Sequence, residues 1–164
     1  MRKIPLIFSF LAIFAALQVL ADEQKLGFGN LSEDTKKPII TSSDQMTVDN
    51  KLSQAELIGN VEIVQGNLLL YADYVRVTYS EDQSQIDAIF ALDNVILISG
   101  KDRAAADEAD YNLDRGTIVM RGNALVSQDG NTVSADRAEF NIDNGAASMS
   151  GRVKSVLTTP SDLD

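Results

Sequence analysis

The stretch ADEADYNLDRGTIVMRGNALV, Ala106 to Val126, decides the fold. From Ala109 onward its apolar side chains fall on alternate residues: Ala109, Tyr111 and Leu113, then Ile118 and Met120, then Ala124 and Val126. Period 2 on both sides of a polar Asp114-Arg115-Gly116 turn describes two strands sharing one half-buried face; a helix would repeat every three to four residues. Gly116 supplies the backbone freedom that a tight hairpin needs. Two short anchors frame the unit, Ala106-Asp107 at its start and Gly122-Asn123-Ala124 at its end.

Working outward, the unit recurs four times. The first anchor returns as Ser43-Asp44, Ala72-Asp73, Ala106-Asp107 and Ala135-Asp136. The second returns as Gly59-Asn60-Val61, Asp93-Asn94-Val95, Gly122-Asn123-Ala124 and Gly151-Arg152-Val153. The Asp residues stand 29, 34 and 29 positions apart, and the odd step is a five-residue insertion in the polar stretch Ser80 to Gln85, where a turn lengthens at small entropic cost. Between anchors the apolar columns stay in register. Met46, Val75, Ala109 and Ala138 form one, and Val48, Val77, Tyr111 and Phe140 the next. Ala55, Ile89, Ile118 and Ala147 form a third, and Leu57, Ala91, Met120 and Met149 a fourth. Beyond the second anchor come Val61, Val95, Ala124 and Val153, then Ile63, Leu97, Val126 and Ser155, a polar break near the end. The opposite parity carries Glu62, Arg76, Asp110, Glu139 and Arg152, as a solvated face should. Gln65-Gly66-Asn67, Gly100-Lys101-Asp102, Asp129-Gly130-Asn131 and Asp143-Asn144-Gly145 add further turns. The expectation is an all-β meander of at least eight strands, in four repeats of about 29 residues, with no globular helix.

The ends read differently. Met1-Arg2-Lys3, the apolar run Leu6 to Leu20, and Val19 and Ala21 before Asp22 form a secretory signal over residues 1–21, cleaved after Ala21. The alternative is an uncleaved anchor, disfavoured because the run falls short of the roughly 20 apolar residues a span requires. Residues 22–38 read as a flexible leader, 39–157 as the β domain and 158–164 as a tail. Removing the signal leaves 12 basic against 24 acidic residues, and the basic ones form no stripe. Nucleic acid is therefore excluded as a partner.

The chain has no Cys, His or Trp. Export would permit disulfides, and none can form. Zinc sites of Cys and His, and Ser-His or Cys-His nucleophile pairs, are likewise impossible. The repeated Asp is the one candidate for acid, base or metal chemistry, yet no second carboxylate keeps a fixed offset from it. A structural bond at a bend is the better account. No catalytic residue, metal ligand or cofactor is expected.

An alternating sheet must cover its apolar face with another sheet, by curling on itself, or with a ligand. Ala55, Ala91, Ala109, Ala124, Ala138 and Ala147 make the face slender, which suits either tight packing or space between layers. Parity does not separate groove from core.

Taken together, Ser43-Asp44, Gly59-Asn60-Val61, Gln65-Gly66, Ala72-Asp73, Asp93-Asn94-Val95, Ala106-Asp107, Gly122-Asn123, Ala135-Asp136 and Gly151 resemble the OstA-like (LptA) family of lipopolysaccharide-transport bridge proteins, over about Pro38 to Leu157. The resemblance implies a bent β-jelly-roll of two facing antiparallel sheets, open at both ends, with an apolar groove. It implies a periplasmic carrier that shields lipopolysaccharide acyl chains, the lipid A part, between inner and outer membranes. It further implies head-to-tail homo-oligomers and partners in inner-membrane-anchored and outer-membrane proteins with related domains. The groove or core lining expected on that basis is Val48, Leu57, Val61, Ile63, Val75, Val77, Ile89, Val95, Leu97, Ile118, Met120, Val126, Phe140 and Met149. The expected edge-strand interface is Ile39, Ile40, Met46 and Val48 at one end, with Met149, Val153 and Val156 at the other. The acidic chain offers no basic rim for an anionic head group. Two alternatives stand beside this one: an inner-membrane-anchored relative of the same fold, and a ligand-free β-solenoid scaffold. Amino-terminal sequencing of the exported protein is expected to begin at Asp22; an intact Met1 in the membrane fraction would overturn the signal peptide.

Overall fold

The computed structural model describes residues 37–158; the signal, almost all of the leader and nearly all of the tail lie outside the described residues. Ten antiparallel strands follow one another: β1 (Ile40–Ser42), β2 (Gln45–Asp49), β3 (Gln54–Gln65), β4 (Leu68–Tyr79), β5 (Ile86–Ser99), β6 (Asp102–Asn112), β7 (Thr117–Gln128), β8 (Asn131–Asn141), β9 (Ala147–Ser150) and β10 (Lys154–Val156). Each of β3 to β8 pairs with the next in chain order, so the sheet is a meander. The turns fall where Gly66, Gly100, Gly116 and Gly130 stand, and the insertion Ser80 to Gln85 links β4 to β5. There the Ser80 and Ser84 hydroxyls and the Ser84 amide donate to Asp82, at 2.6 to 3.1 Å. Those bonds hold its carboxyl down at about 2.

Each long strand is interrupted in the middle. Pairing of β3 with β4 runs to Ile58↔Tyr74 and resumes at Val61↔Ala72, so Gly59 and Asn60 oppose Asp73 alone. The same shift recurs between β4 and β5, β5 and β6, β6 and β7, and β7 and β8. Two residues facing one is a β-bulge, which bends its strand. Both bulged residues take positive φ at every bend: Gly59 (79°) and Asn60 (46°), Asp93 (62°) and Asn94 (52°), Gly122 (75°) and Asn123 (50°), Gly151 (74°) and Arg152 (42°).

The bends divide the sheet into two layers built from the same strands. One layer holds β2, the residue 54–58 half of β3 and its paired continuations, ending at β9. The other holds β1, the residue 61–65 half of β3 and its continuations, ending at β10. Ala55 and Leu57 of the first layer and Val61 and Ile63 of the second belong to one apolar cluster, at 0 to 5% exposure. The described residues contain no helix, so each layer's inner face is covered by the other. Burying Leu57, Met120 and Phe140 contributes about 1.5–3 kcal/mol apiece before entropy is charged. The expected bent jelly-roll of two facing layers is the structure found, and bending explains why each repeat builds both layers.

The repeated Asp is the bend's fastener. Asn60 Nδ2 donates to Asp44 at 2.8 Å, Asn94 Nδ2 to Asp73 at 2.7 Å and Asn123 Nδ2 to Asp107 at 2.9 Å. At the fourth bend Arg152 replaces Asn and donates twice to Asp136, at 2.7 and 2.9 Å. A Cβ on Gly122 would collide with the Asp107 carboxylate, and one on Gly59 would lie 2.5 Å from Asp44 Oδ2. Gly122→Ala should therefore cost about 2 kcal/mol or more in urea unfolding, combining left-handed strain with the clash. Gly145→Ala, with open space around its Cβ, should cost only about 1 kcal/mol.

Candidate functional site

The inner faces define the candidate site. Strand register aligns one row across the first layer from edge to edge: Met46, Leu57, Val75, Ala91, Ala109, Met120, Ala138 and Met149. A second row runs Val48, Ala55, Val77, Ile89, Tyr111, Ile118, Phe140 and Ala147. In the other layer Thr41, Ile63, Leu70, Leu97, Ala104, Val126, Val133 and Ser155 align, apolar within and polar at both ends. The result is a hydrocarbon-lined interior crossed by every strand and ending at two unpaired edges.

Of the lining expected from the sequence, all but Val48, Val126 and Met149 are buried. Val126 and Met149 are half-buried against the core, and Val48 is 57% exposed on β2. Leu57, Val75 and Met120 keep at most 1% of their surface open, so the interior is closed around them. Beside Val48, a hollow of about 130 Å³ opens between Asp49, Ser53, Tyr79 and Gln83. Burial raises the Tyr111 phenol above its usual range, with the Asp143 carboxylate adding to the effect.

Of the expected edge residues, Ile40 lies in β1, Met46 and Val48 in β2, Met149 in β9 and Val156 in β10; Val153 sits between the last two, and Ile39 just before the first. Ile40, Met46, Val48, Val153 and Val156 are exposed at 53 to 64%. Ile40 and Val156, however, pair with Val64 and Thr132, which places them on the outward parity, whereas Met46 and Val48 share the inward parity of Leu57 and Ala55.

Sequence reasoning missed a set of inner residues. Leu68, Ala72, Ala104, Ala106 and Ala135 are buried in the core, yet they lie before the Asp of the second, third and fourth repeats. There the inward phase shifts by one residue, from Ala72 to Val75 across Asp73. The small residue preceding each Asp was the available signal.

No group of three or more acidic, His or Cys side chains able to hold a metal occurs among the described residues. What the arrangement offers is apolar contact along rows that cross the sheet, and its fold defines a bent β-jelly-roll. Residues 40–146 match the family described as LptA/(LptD N-terminal domain) LPS transport protein, and the chain belongs to that family. An uncharacterized protein of Rhizobium meliloti (strain 1021) is 30% identical over 129 residues, covering 74% of this chain and 69% of that protein. The crystal structure of LptH, the LptA-homologous periplasmic component of the lipopolysaccharide transport device of Pseudomonas aeruginosa, superposes with a TM-score of 0.70 at 17% identity. It covers 77% of this chain and 99% of LptH.

Burial separates two kinds of inner position. Met120→Asp, or Val77→Asp, places a charge where exposure is 0 or 4% and should lower unfolding free energy by about 3 kcal/mol or more. These two are thus folding variants first. Val48→Asp should stay within about 0.5 kcal/mol of the parent in the same urea titration.

Proposed function

We propose that this protein is a periplasmic carrier that shelters the acyl chains of lipopolysaccharide, the lipid A part, between its two layers on the way from inner to outer membrane. The signal is cleaved after Ala21, copies join head to tail through their terminal strands, and related domains of inner- and outer-membrane transport proteins continue the path. No catalytic step is involved. The observation that carries this reading is the apolar row from Met46 to Met149, unbroken across eight strands and ending at an open edge on each side.

The energetics agree. An acyl chain of twelve to fourteen carbons gains about 0.8 kcal/mol per methylene withdrawn from water, so crossing unshielded costs on the order of 10 kcal/mol. Cargo would enter at exposed Met46 or Val48, and the layers would part to admit it.

The near-complete burial of Leu57, Val75 and Met120 favours a second reading, a ligand-free scaffold with a filled interior. A photoreactive residue placed in living cells separates the two. At Val48 or Met149 it should capture lipopolysaccharide, while at Thr47, of opposite parity on β2, it should capture none. Equal labelling at Thr47 and Val48, or no lipid adduct at either inward site, would sink the carrier.

A further inference from the structure

The two outer faces of the molecule differ chemically, and only one behaves as a solvated face should. On the first layer, Arg121 pairs with Asp110 and Glu108, Arg137 with Glu139, Tyr74 donates to Glu56, and Arg76 stacks over Phe90. On the second layer the outward row reads Ser42, Glu62, Tyr71, Ile96, Ala105, Leu125, Ser134 and Lys154. Its centre is an uncharged apolar strip from Tyr71 to Leu125, flanked in the adjoining row by Leu69 and Ile98, which pair directly, and then by the exposed Arg103, on the side away from the bend carboxylates. Ile96 and Leu125 are 39 and 44% exposed. The sequence carries the corresponding signature. Leu68 to Tyr71 and Val95 to Ile98 are continuous apolar runs without alternation, the mark of strands covered on both faces. The inner face is covered by the opposite layer; the outer one has no cover among the described residues.

Along one side of this strip run the bend carboxylates. A hollow of about 400 Å³ joins Tyr71 and Glu62 to Asp73, Asn60 and Asn94. A second, of about 280 Å³, joins Ile96 and Ala105 to Asp107, Asn94 and Asn123. Both border Asn94, so the two hollows adjoin, and the furrow they trace has apolar side chains along one wall and carboxylates along the other. Asp136 is neutralised by Arg152, but Asp73 and Asp107 bond only to the neutral amides of Asn94 and Asn123, with no cation paired to them among the described residues.

The geometry points to this furrow as a docking site for a cationic amphipathic helix of a partner protein, lying across the strands. Asp73 on β4 and Asp107 on β6 are two strand spacings apart, about 9.6 Å, close to the roughly 10.8 Å of two helical turns. Lys or Arg at i and i+7 would meet the two carboxylates. Apolar residues one-third of a turn away would settle on Tyr71, Ile96, Ala105 and Leu125, a span matched by about ten helical residues. The site is independent of the interior and needs no cargo.

The test uses the full exported chain, labelled for NMR, and an amidated 14-residue peptide of Leu and Lys with Leu confined to one helical face. Binding should move the amide signals of Tyr71, Ile96, Ala105 and Leu125 and weaken as salt is added. Asp73→Asn with Asp107→Asn should weaken it about tenfold by removing both charges, while the new amides still offer an oxygen to Asn94 and Asn123 and so keep the bends. Ile96→Ser, at an exposed position, should also weaken it without altering the melting temperature. The proposal falls if the shifts map to β2, β9 or the interior, or if Ile96→Ser binds like the parent. It falls equally if a scrambled peptide of the same composition binds as well, or if the strip's signals move with protein concentration alone, which would assign the face to a second copy.

Discussion

The architecture depends on one interaction, repeated four times: a carboxylate accepting a side-chain hydrogen bond from a left-handed pair on the neighbouring stretch of chain. Two consecutive residues at positive φ would ordinarily cost a strand its register. Here Asp44, Asp73, Asp107 and Asp136 hold those pairs in place, and register resumes one residue out of step on the far side. Without the bends the chain would form a flat meander with one greasy face open to water. With them, the sheet folds over itself and becomes its own cover. The second bend uses Asp93 where Gly59, Gly122 and Gly151 stand elsewhere, and the short polar side chain of Asp tolerates that conformation better than most.

Much of this was legible beforehand. Repeats, hairpin glycines and alternating parity located the strands, and the five-residue insertion sits in the expected β4–β5 loop. The bend itself was hidden by arithmetic. Leu57 and Val61 are four apart, so period 2 passes through Gly59-Asn60 undisturbed, although the chain changes direction there. On the partner strand the phase does slip, between Ala72 and Val75, and columns aligned only after each Asp overlooked the buried Ala72, Ala106 and Ala135. The outward parity was similarly oversimplified. Glu62, Arg76, Asp110 and Glu139 are solvated, but Tyr71, Ile96 and Leu125 share their parity and form an apolar strip.

The candidate site was legible as a pattern and illegible as a space. Alternation identifies which side chains face inward; it carries no information on how far apart the two inner faces stand. Slender residues such as Ala91, Ala109 and Ala138 could have lined a wide channel, but at most 6% of their surface is exposed, so the interior is closed around them. The accessible inward positions are at the rim, where Met46 and Val48 lack a neighbour on one side.

The split ends of the sheet impose a selection rule of their own. β1 and β2 both pair with β3, on either side of its kink, and β9 and β10 flank that of β8 in the same way. Any polypeptide extending either margin must turn a corner at the same height to satisfy both halves of the ladder. A straight intruder, such as an unfolded or aggregating segment, would find hydrogen-bonding partners along only half its length. The corner would thus act as a shape password, rewarding a similarly creased strand pair and leaving an ordinary strand weakly held.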